Sequence, residues 1–368
     1  MRVPFLDLPA QYSEIQSEGE PEILEILRTA AYVVGKHNKG LEEEIAASHH
    51  AKHGIAVNSG TDALRILLQA AGVGPGDEVI TSAFSFVATI ETIIQVGARP
   101  VFVDIDEKSF AITRETIEPA ITERTKAVMP VHLFGQLCDI APIAALCEER
   151  GLVLVEDAAQ AMESHHNGRY AGCWGVGGGL SFYVTKNLGA AGDGGLILTD
   201  SDAINEGCRS LRIHGMGKER YYYDAIGYTS RMAELQACVL RHKLKRLPHW
   251  TARRQELAKI YDVDLAHTDV VKPTILPGNN HCYHQYTILS DRRDALQAFL
   301  KEQEIDSMIY YPVPLHYHEP YKYLGFGKGD LSETERISLQ CLSLPIHPHL
   351  TNKQVEWVTH CIREFYAS

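Results

Sequence analysis

Lys186 is the residue whose place in the sequence suggests the most distinctive chemistry. It follows the largely apolar run of residues 180–184, and seven glycines flank it, at positions 177–179, 189, 192, 194 and 195. If the run is a buried strand, an amine at its end is desolvated, which lowers its pKa and lets it form a Schiff base with an aldehyde. The alternative is a lysine that reaches solvent at a strand end. The glycines favour the first interpretation, because they indicate backbone packed closely around something.

Asp157 ends a second apolar run, in the sequence Val155-Glu156-Asp157-Ala158-Ala159-Gln160. A carboxylate at that position can pair with a protonated pyridine nitrogen, which keeps an aromatic ring cationic and able to accept electrons. The same aspartate could instead cap a helix that follows the strand.

Two further segments could hold the other parts of a phosphorylated aromatic cofactor. Ser59-Gly60-Thr61 follows a predicted strand and opens a helix, so its free N–H groups favour a phosphate, with an ordinary N-cap as the alternative. Phe86 follows the next predicted strand and could stack on a planar ring or belong to the core. Along the chain, the anion site comes first, then the ring, the acid and the amine. This is the order that a pyridoxal phosphate enzyme requires.

Alternating strands and helices are predicted to position these residues. The predicted strands are residues 55–57, 78–81, 100–104, 126–133, 152–156, 179–183 and 195–199, and helices are predicted over 61–71, 114–121 and 140–149. This alternation is typical of an α/β fold with a mainly parallel, mixed sheet flanked by helices. Ligands of such sheets bind beyond the carboxyl ends of the strands.

The last third of the sequence has a different pattern. One long helical stretch is predicted over residues 231–265, interrupted at Pro248, and two more helices over 292–303 and 351–365. Prolines and histidines recur between these predicted helices. We therefore predict a large α/β domain over residues 1–245 and a smaller α+β domain over 246–368.

Composition excludes several classes of protein. The 368 residues carry 35 basic and 47 acidic side chains, a formal net charge of −12, which argues against a general nucleic-acid or anionic-membrane binder. Eight scattered cysteines form no C-x-x-C, no H-E-x-x-H occurs, and no metal site is predicted. Neither a signal peptide nor a membrane-spanning run is recognisable, so a cytoplasmic location is expected.

Six motifs in matching order resemble the DegT/DnrJ/EryC1/StrS family of sugar aminotransferases, which have the fold type I architecture of aspartate aminotransferase. The resemblance runs from residue 3 to the last predicted helix. The motifs are Ser59-Gly60-Thr61, Gly76-Asp77-Glu78-Val79, Glu156-Asp157-Ala158-Ala159-Gln160, Ser181-Phe182-Tyr183-x-Thr185-Lys186-Asn187-Leu188-Gly189, Gly192-Asp193-Gly194-Gly195 and Tyr311-Pro312-x-Pro314-Leu315-His316.

The resemblance implies a role for each cofactor residue. Lys186 would hold pyridoxal phosphate as a Schiff base and shuttle protons, while the cofactor alternates with its pyridoxamine form. Asp157 would pair with the ring nitrogen, Gln160 would bond the ring hydroxyl and Phe86 would stack on the ring. The phosphate would be held by Gly60, Thr61 and Ser181.

Family members are homodimers with active sites between the subunits, and a partner asparagine in a Gly-x-Asn-x-Arg motif usually contacts the phosphate. Here the corresponding segment is Gly227-Tyr228-Thr229-Ser230-Arg231, so Thr229 occupies the asparagine position. A threonine hydroxyl is shorter but can still donate a hydrogen bond. Thr229 is therefore expected to keep the contact directly or through water.

The resemblance also implies the substrates: L-glutamate as donor and a nucleotide-linked 3- or 4-keto-deoxysugar as acceptor, in deoxyaminosugar or polysaccharide biosynthesis. The basic, tyrosine-rich segment 212–223 could clamp a nucleotide or pack on the partner subunit. Two alternatives remain: a family member that aminates a non-nucleotide cyclic ketone, and a cofactor-binding regulator without turnover. The expected substrate contacts are Tyr183, His214, Arg231, Tyr311 and His316.

Overall fold

A seven-stranded sheet forms the centre of the first two-thirds of the chain in the computed structural model, which describes residues 1–367. Its strand order is β1-β9-β8-β5-β4-β2-β3, and only β9 runs antiparallel to its neighbours. The predicted mainly parallel, mixed α/β sheet is confirmed. The strands are β1 (His53–Val57), β2 (Glu78–Ser82), β3 (Arg99–Val103), β4 (Thr125–Val128), β5 (Val153–Asp157), β6 (His165–His166), β7 (Arg169–Tyr170), β8 (Gly177–Ser181), β9 (Gly195–Thr199), β10 (Asn279–Asn280), β11 (Tyr286–Leu289) and β12 (Cys341–Leu344).

Helices cover both faces of this sheet and build most of the C-terminal third. The helices are α1 (Leu8–Ser13), α2 (Gln16–Thr29), α3 (Lys36–Ser48), α4 (Gly60–Ala70), α5 (Ala88–Gln95), α6 (Arg114–Ile117), α7 (Ile140–Arg150), α8 (Asp202–Leu211), α9 (Glu234–Leu244), α10 (Leu247–Asp264), α11 (Arg293–Glu302), α12 (Ser332–Gln340) and α13 (Asn352–Ala367). Of the described residues, no helix combines the length and the hydropathy needed to cross a bilayer.

Two predicted strands end two or more residues earlier than expected, and both differences affect the site. The strand predicted over 126–133 stops at Val128, because Pro130 lacks an N–H for the ladder, and a 3-10 turn follows at Leu133–Gly135. The strand predicted over 179–183 ends at Ser181. Lys186 is therefore not a strand residue: it lies five positions further on, in a turn where its N–H donates to the Tyr183 carbonyl at 2.8 Å.

The helical stretch predicted over 231–265 consists of two helices, α9 and α10, separated at Lys245 and Arg246. Pro248 lies in the first turn of α10, where a missing N–H costs no intrahelical bond. The expected boundary between residues 245 and 246 coincides with this break and stays a prediction. A second hydrophobic core joins α10, α11 and α13 to the β11–β12 pair and includes Val3, so the chain's first residues pack with the C-terminal third.

Candidate active site

A cavity of about 610 Å³ lies where β5 and β8 end and α4 begins, the sheet edge at which the sequence predicted a ligand. Nine of the expected cofactor and substrate residues contribute to its lining. They are Gly60, Thr61, Phe86, Asp157, Gln160, Ser181, Tyr183, Lys186 and Tyr311.

Asp157 is the last residue of β5, and its carboxyl group is almost fully buried at the cavity wall. One oxygen accepts a hydrogen bond from the Thr89 hydroxyl at 2.7 Å, and the other accepts from the Ala159 N–H at 3.2 Å. Burial raises the pKa of Asp157, while these two bonds and the nearby amine of Lys186 oppose the rise. The fold thus holds a carboxyl group in one orientation, with the amine of Lys186 as its nearby cationic partner.

Lys186 extends from the turn after β8 into the same cavity. Desolvation lowers the pKa of its amine to about 8, with Asp157 acting in the opposite direction. Roughly a tenth of the amine is therefore unprotonated at pH 7, far more than for an ordinary lysine, and the unprotonated amine is the state that attacks a carbonyl carbon. The amine is desolvated as expected, although Lys186 lies in a turn beyond the strand and not at its end.

The start of α4 and the end of β8 approach each other too closely for larger residues. A Cβ at Gly60 would lie 2.7 Å from the Ser181 Cβ, and one at Gly195 would overlap the backbone of Ser59. Ser59 is the N-cap of α4, and its hydroxyl accepts from the Asp62 N–H. The cap accounts for one N–H of the first turn, and the positive end of the helix dipole faces the cavity beside the Thr61 and Ser181 hydroxyls.

Gln160, Tyr311 and Phe86 form the opposite part of the lining. The Gln160 amide is fixed at both ends: its oxygen accepts from the Phe134 N–H at 2.8 Å and its nitrogen donates to the Tyr311 hydroxyl at 3.1 Å. The Phe86 ring lies 6.2 Å from the Tyr311 ring at a tilt of 38°, and 55% of Phe86 remains exposed. A planar aromatic group could occupy that exposed face.

Four expected residues lie outside the cavity lining of the described chain. His214 and Thr229 form an exposed pair, with 3.1 Å between the imidazole Nε2 and the hydroxyl oxygen, and Arg231 is half-buried nearby. Ser230 joins this segment to Asn58 at the end of β1. His316 lies elsewhere: it is 1% exposed and its Nε2 is 3.3 Å from the Glu335 carboxylate, so it does not reach the cavity.

Comparison with known proteins identifies the chain's relatives. The DegT/DnrJ/EryC1/StrS aminotransferase family matches residues 13–363. The chain belongs to this family. It is 47% identical over 369 residues to a "pleiotropic regulatory protein" of Geobacillus stearothermophilus (100% of this chain, 99% of the relative). It is 39% identical to a UDP-N-acetyl-3-dehydro-alpha-D-glucosamine 3-aminotransferase of Acidithiobacillus ferrooxidans (98% and 97%).

Solved structures of family members share the whole architecture of this aminotransferase. S. venezuelae DesV in complex with a ketimine intermediate superposes with a TM-score of 0.97 at 38% identity, covering 100% of this chain and 99% of DesV. Bacillus subtilis NtdA with bound cofactor PMP gives a TM-score of 0.91 at 30% identity, covering 100% and 86%. The fold type I assignment is thereby confirmed.

Pyridoxal phosphate is the cofactor of this aminotransferase, and the cavity fits it. The glycine contact between α4 and β8 leaves backbone and hydroxyl groups free for a phosphate. Asp157 offers a buried acceptor for the ring nitrogen, and the low-pKa amine of Lys186 faces the same space. Phe86 supplies the apolar face that a pyridine ring needs.

Several cavity residues of the aminotransferase were not found by sequence analysis. Thr89 binds Asp157 and is itself 2.7 Å from the Ser85 hydroxyl, so a short polar chain orients the carboxylate. His284 reaches the cavity from the C-terminal third with its Nδ1 3.2 Å from the Asn187 oxygen, and burial holds its pKa well below the usual value. The spacing of Ser85 and Thr89, one helical turn apart, is a weak sequence indication that their hydroxyl groups meet. No neighbouring residue in the sequence indicates that His284 reaches the cavity. Further lining comes from Thr185, Asp193, Gln285 and Tyr310.

Proposed function

We propose that the enzyme transfers an amino group from L-glutamate to a nucleotide-linked keto-deoxysugar, aminating the 3- or 4-position. The observation that carries this proposal is the convergence of Lys186, Asp157 and the Gly60 turn on one cavity in a chain of an aminotransferase family. The Acidithiobacillus relative, whose name specifies a UDP-linked 3-dehydro sugar, supports the acceptor class.

Lys186 is proposed to move the proton in this reaction. Pyridoxal phosphate, when bound, supplies a cationic ring that stabilises negative charge at the carbon from which a proton has been removed. The Lys186 amine, with its pKa lowered to about 8, would move a proton from the donor's α-carbon to the C4′ of the cofactor in the first half-reaction. In the second it would move a proton from that C4′ to the acceptor's carbon. Because both half-reactions use the same amine, one lysine serves donor and acceptor in turn.

The other cavity residues are proposed to orient the cofactor. Asp157, fixed by Thr89, would keep the ring nitrogen protonated, and Gln160 would bind the ring hydroxyl with the amide hydrogen that Tyr311 leaves free. Phe86 would cover one ring face. The phosphate would lie at the start of α4, held by Gly60, Thr61 and Ser181.

A homodimer is proposed to complete the site, with Thr229 reaching the partner's phosphate. Thr229 is exposed and outside its own cavity, yet its segment is joined to Asn58 beside the Gly60 turn. The neighbouring segment also exposes aromatic and apolar side chains that a partner would bury: Tyr221, Tyr222, Tyr223 and Ile226 are 71%, 66%, 56% and 89% exposed.

Substrate contacts are proposed from both subunits. Tyr183, half of which is exposed at the cavity, and Tyr311 would contact the sugar from the same chain. His214 and Arg231 would approach from the partner, and Arg220, which stacks on Tyr221 with its guanidinium 4.9 Å from the ring centre, could face a pyrophosphate. A cytoplasmic location is proposed because all eight cysteines are buried free thiols, as a reducing compartment allows.

Incubation of the enzyme with L-glutamate and a panel of dTDP-, UDP- and GDP-linked ketosugars, read by mass spectrometry, tests the proposal. We expect an amino-sugar product with at least one nucleotide and none with the free ketosugar. Amination of a keto-inositol or another free cyclic ketone in place of every nucleotide sugar would contradict the acceptor class. A cofactor-loaded protein that aminates nothing would instead indicate a regulator.

A further inference from the structure

Two helices bring metal-binding side chains together outside the lining of the cofactor cavity. Glu22 of α2 and Cys238 and His242 of α9 each offer a ligand atom, and these atoms lie within 4.8 Å of one another. Cys238 and His242 are four residues apart on one helix, so they share a face. Both are almost fully buried, whereas Glu22 is half-buried.

Two histidines in this cluster lack the hydrogen bonds that buried rings normally make. His37, 2% exposed, has no hydrogen-bond partner at Nε2, which points at Glu22 with 3.5 Å to one carboxylate oxygen. His242 has none at Nδ1, which faces Glu18 at 3.7 Å, and its Nε2 is 3.6 Å from the other Glu22 oxygen. The Glu22 carboxylate therefore sits between two imidazoles with neither ring hydrogen-bonded to it.

We propose that Glu22, Cys238 and His242 bind a zinc ion, with His37, whose Nε2 is 3.5 Å from the Glu22 carboxylate, as the nearest candidate for a fourth ligand. A thiolate, imidazoles and a carboxylate are the ligand types that Zn²⁺ takes, usually four in a tetrahedron. Zn–ligand distances of about 2.0–2.3 Å require ligand atoms roughly 3.5 Å apart. Ligand atoms that lie within 4.8 Å of one another would therefore move together by up to about 1.3 Å around the ion.

Glu234 holds His37 in place for this role. Its buried carboxylate caps the start of α3, accepting from the N–H groups of Gly35, His37 and Asn38 and from the Asn38 side chain. Glu234 is one turn before Cys238 on α9, so the same helix carries the cap and two ligands. Zinc here would tie α2 and α3 to α9.

Helix α9 also contacts the turn that carries Lys186. Lys243, next to His242, donates from its amine to the Gly189 carbonyl at 2.8 Å, three residues after Lys186. A cation that fixes α9 would therefore also steady the segment that carries the reactive lysine. The site itself does not depend on the proposed substrate.

Metal binding by tag-free, cofactor-loaded enzyme tests the proposal. After chelator treatment and incubation with Zn²⁺, we expect one zinc per chain by plasma mass spectrometry and a higher thermal unfolding midpoint than in the metal-free enzyme. Cys238→Ser and His242→Gln should weaken zinc binding more than about tenfold, the loss that even an outer partner causes. Cys361→Ser and His360→Gln, a buried cysteine and an exposed histidine of α13, should bind zinc as the parent does.

A measurement on the unmodified chain tests the proposal even if the variants fail to fold. Co²⁺ in place of Zn²⁺ should give the visible bands of a tetrahedral ion and a thiolate-to-metal charge-transfer band. Sub-stoichiometric zinc in the parent enzyme, the absence of the thiolate band, or zinc content unchanged in folded Cys238→Ser would each overturn the proposal. His37→Gln separates a three-ligand site, which keeps its zinc affinity, from a four-ligand site, which loses it.

Discussion

At the scale of single residues, two lysines show that a lowered pKa alone does not make an amine catalytic. The pKa of Lys186 and that of Lys243 are both lowered to about 8 by desolvation, yet only Lys186 lines the cavity. Lys243 instead donates to a backbone carbonyl. Position in the cavity, and not basicity, should therefore decide which amine binds the cofactor aldehyde.

Lys186→Ala should leave the protein folded but unable to form a borohydride-reducible adduct with pyridoxal phosphate. Lys243→Met, which removes the other low-pKa amine, should keep the adduct. Peptide mass spectrometry after reduction reads both variants, with circular dichroism as the check on folding. A full adduct on another lysine of Lys186→Ala would refute the assignment.

The lowered pKa of Lys186 also predicts how adduct formation depends on pH. Only the unprotonated amine attacks an aldehyde, so the rate in cofactor-free protein should rise with pH and level off above about 8. The negative charge of Asp157 raises the Lys186 pKa, so Asp157→Asn should move the midpoint to lower pH. Stopped-flow absorbance measures the rate.

Asp193→Asn is the matched control for this experiment, since Asp193 lines the cavity but is exposed. Its midpoint should stay with the parent's. The same Asp157→Asn variant should bind cofactor yet lose amino transfer by on the order of 10²–10³-fold, the usual effect of removing a preorganised electrostatic partner. Unchanged turnover in Asp157→Asn would remove the proposed role of the carboxylate.

At the scale of elements, the close approach of β9 to the start of α4 shapes the phosphate end of the cavity. Gly195 pairs with Val57 and with Ser181, in the neighbouring strands β1 and β8. A side chain at 195 would push on the Ser59 backbone that begins α4. The glycine is therefore required by close approach of backbone, as the cluster of glycines in the sequence indicated.

Gly195→Ala should lower the free energy of unfolding by about 1–3 kcal/mol, the typical cost of overpacking, and weaken cofactor retention at the same time. Urea denaturation and the cofactor's absorbance after gel filtration measure the two effects. Gly74→Ala is the control, because its nearest neighbour, the Val96 carbonyl oxygen, is 3.9 Å from the added Cβ. If both variants lost the same amount of unfolding free energy and of bound cofactor, the close approach at Gly195 would not be the cause.

At the scale of the whole molecule, one chain leaves the proposed site incomplete. A Lys186→Ala chain and a Thr229→Asp chain should each be inactive alone, since the second places a negative charge against the phosphate. If Thr229 acts across a two-fold interface, mixed dimers restore one intact site each, and random mixing should recover about a quarter of the parent activity.

Light scattering should give a mass twice the 40.9 kDa of one chain before the mixing experiment is read. The Lys186→Ala chain mixed with parent chain sets the reference for half-active dimers. No recovery from well-mixed, dimeric variants would place Thr229 in its own chain's site or outside the site altogether.

Local patterns in the sequence determined the architecture and most of the cofactor cavity. Alternating apolar runs and turn residues predicted all seven strands of the main sheet. The periodicity of apolar residues and the positions of turn residues can both be read from short stretches of sequence. Gly60, Asp157 and Lys186 could be found because each ends a strand or follows one within a few residues, and the carboxyl ends of parallel strands share one edge.

Tertiary packing decided everything that depends on residues distant in the chain. It placed Lys186 in a turn, fixed Asp157 through Thr89, brought His284 to the cavity and kept His316 away from it. Packing of α2 on α9 also assembled the Glu22–Cys238–His242 cluster, in which Glu22 is more than two hundred residues away from the other two members along the chain. Sequence spacing carries no signal for such contacts, because they arise only when separate elements bury their faces against one another.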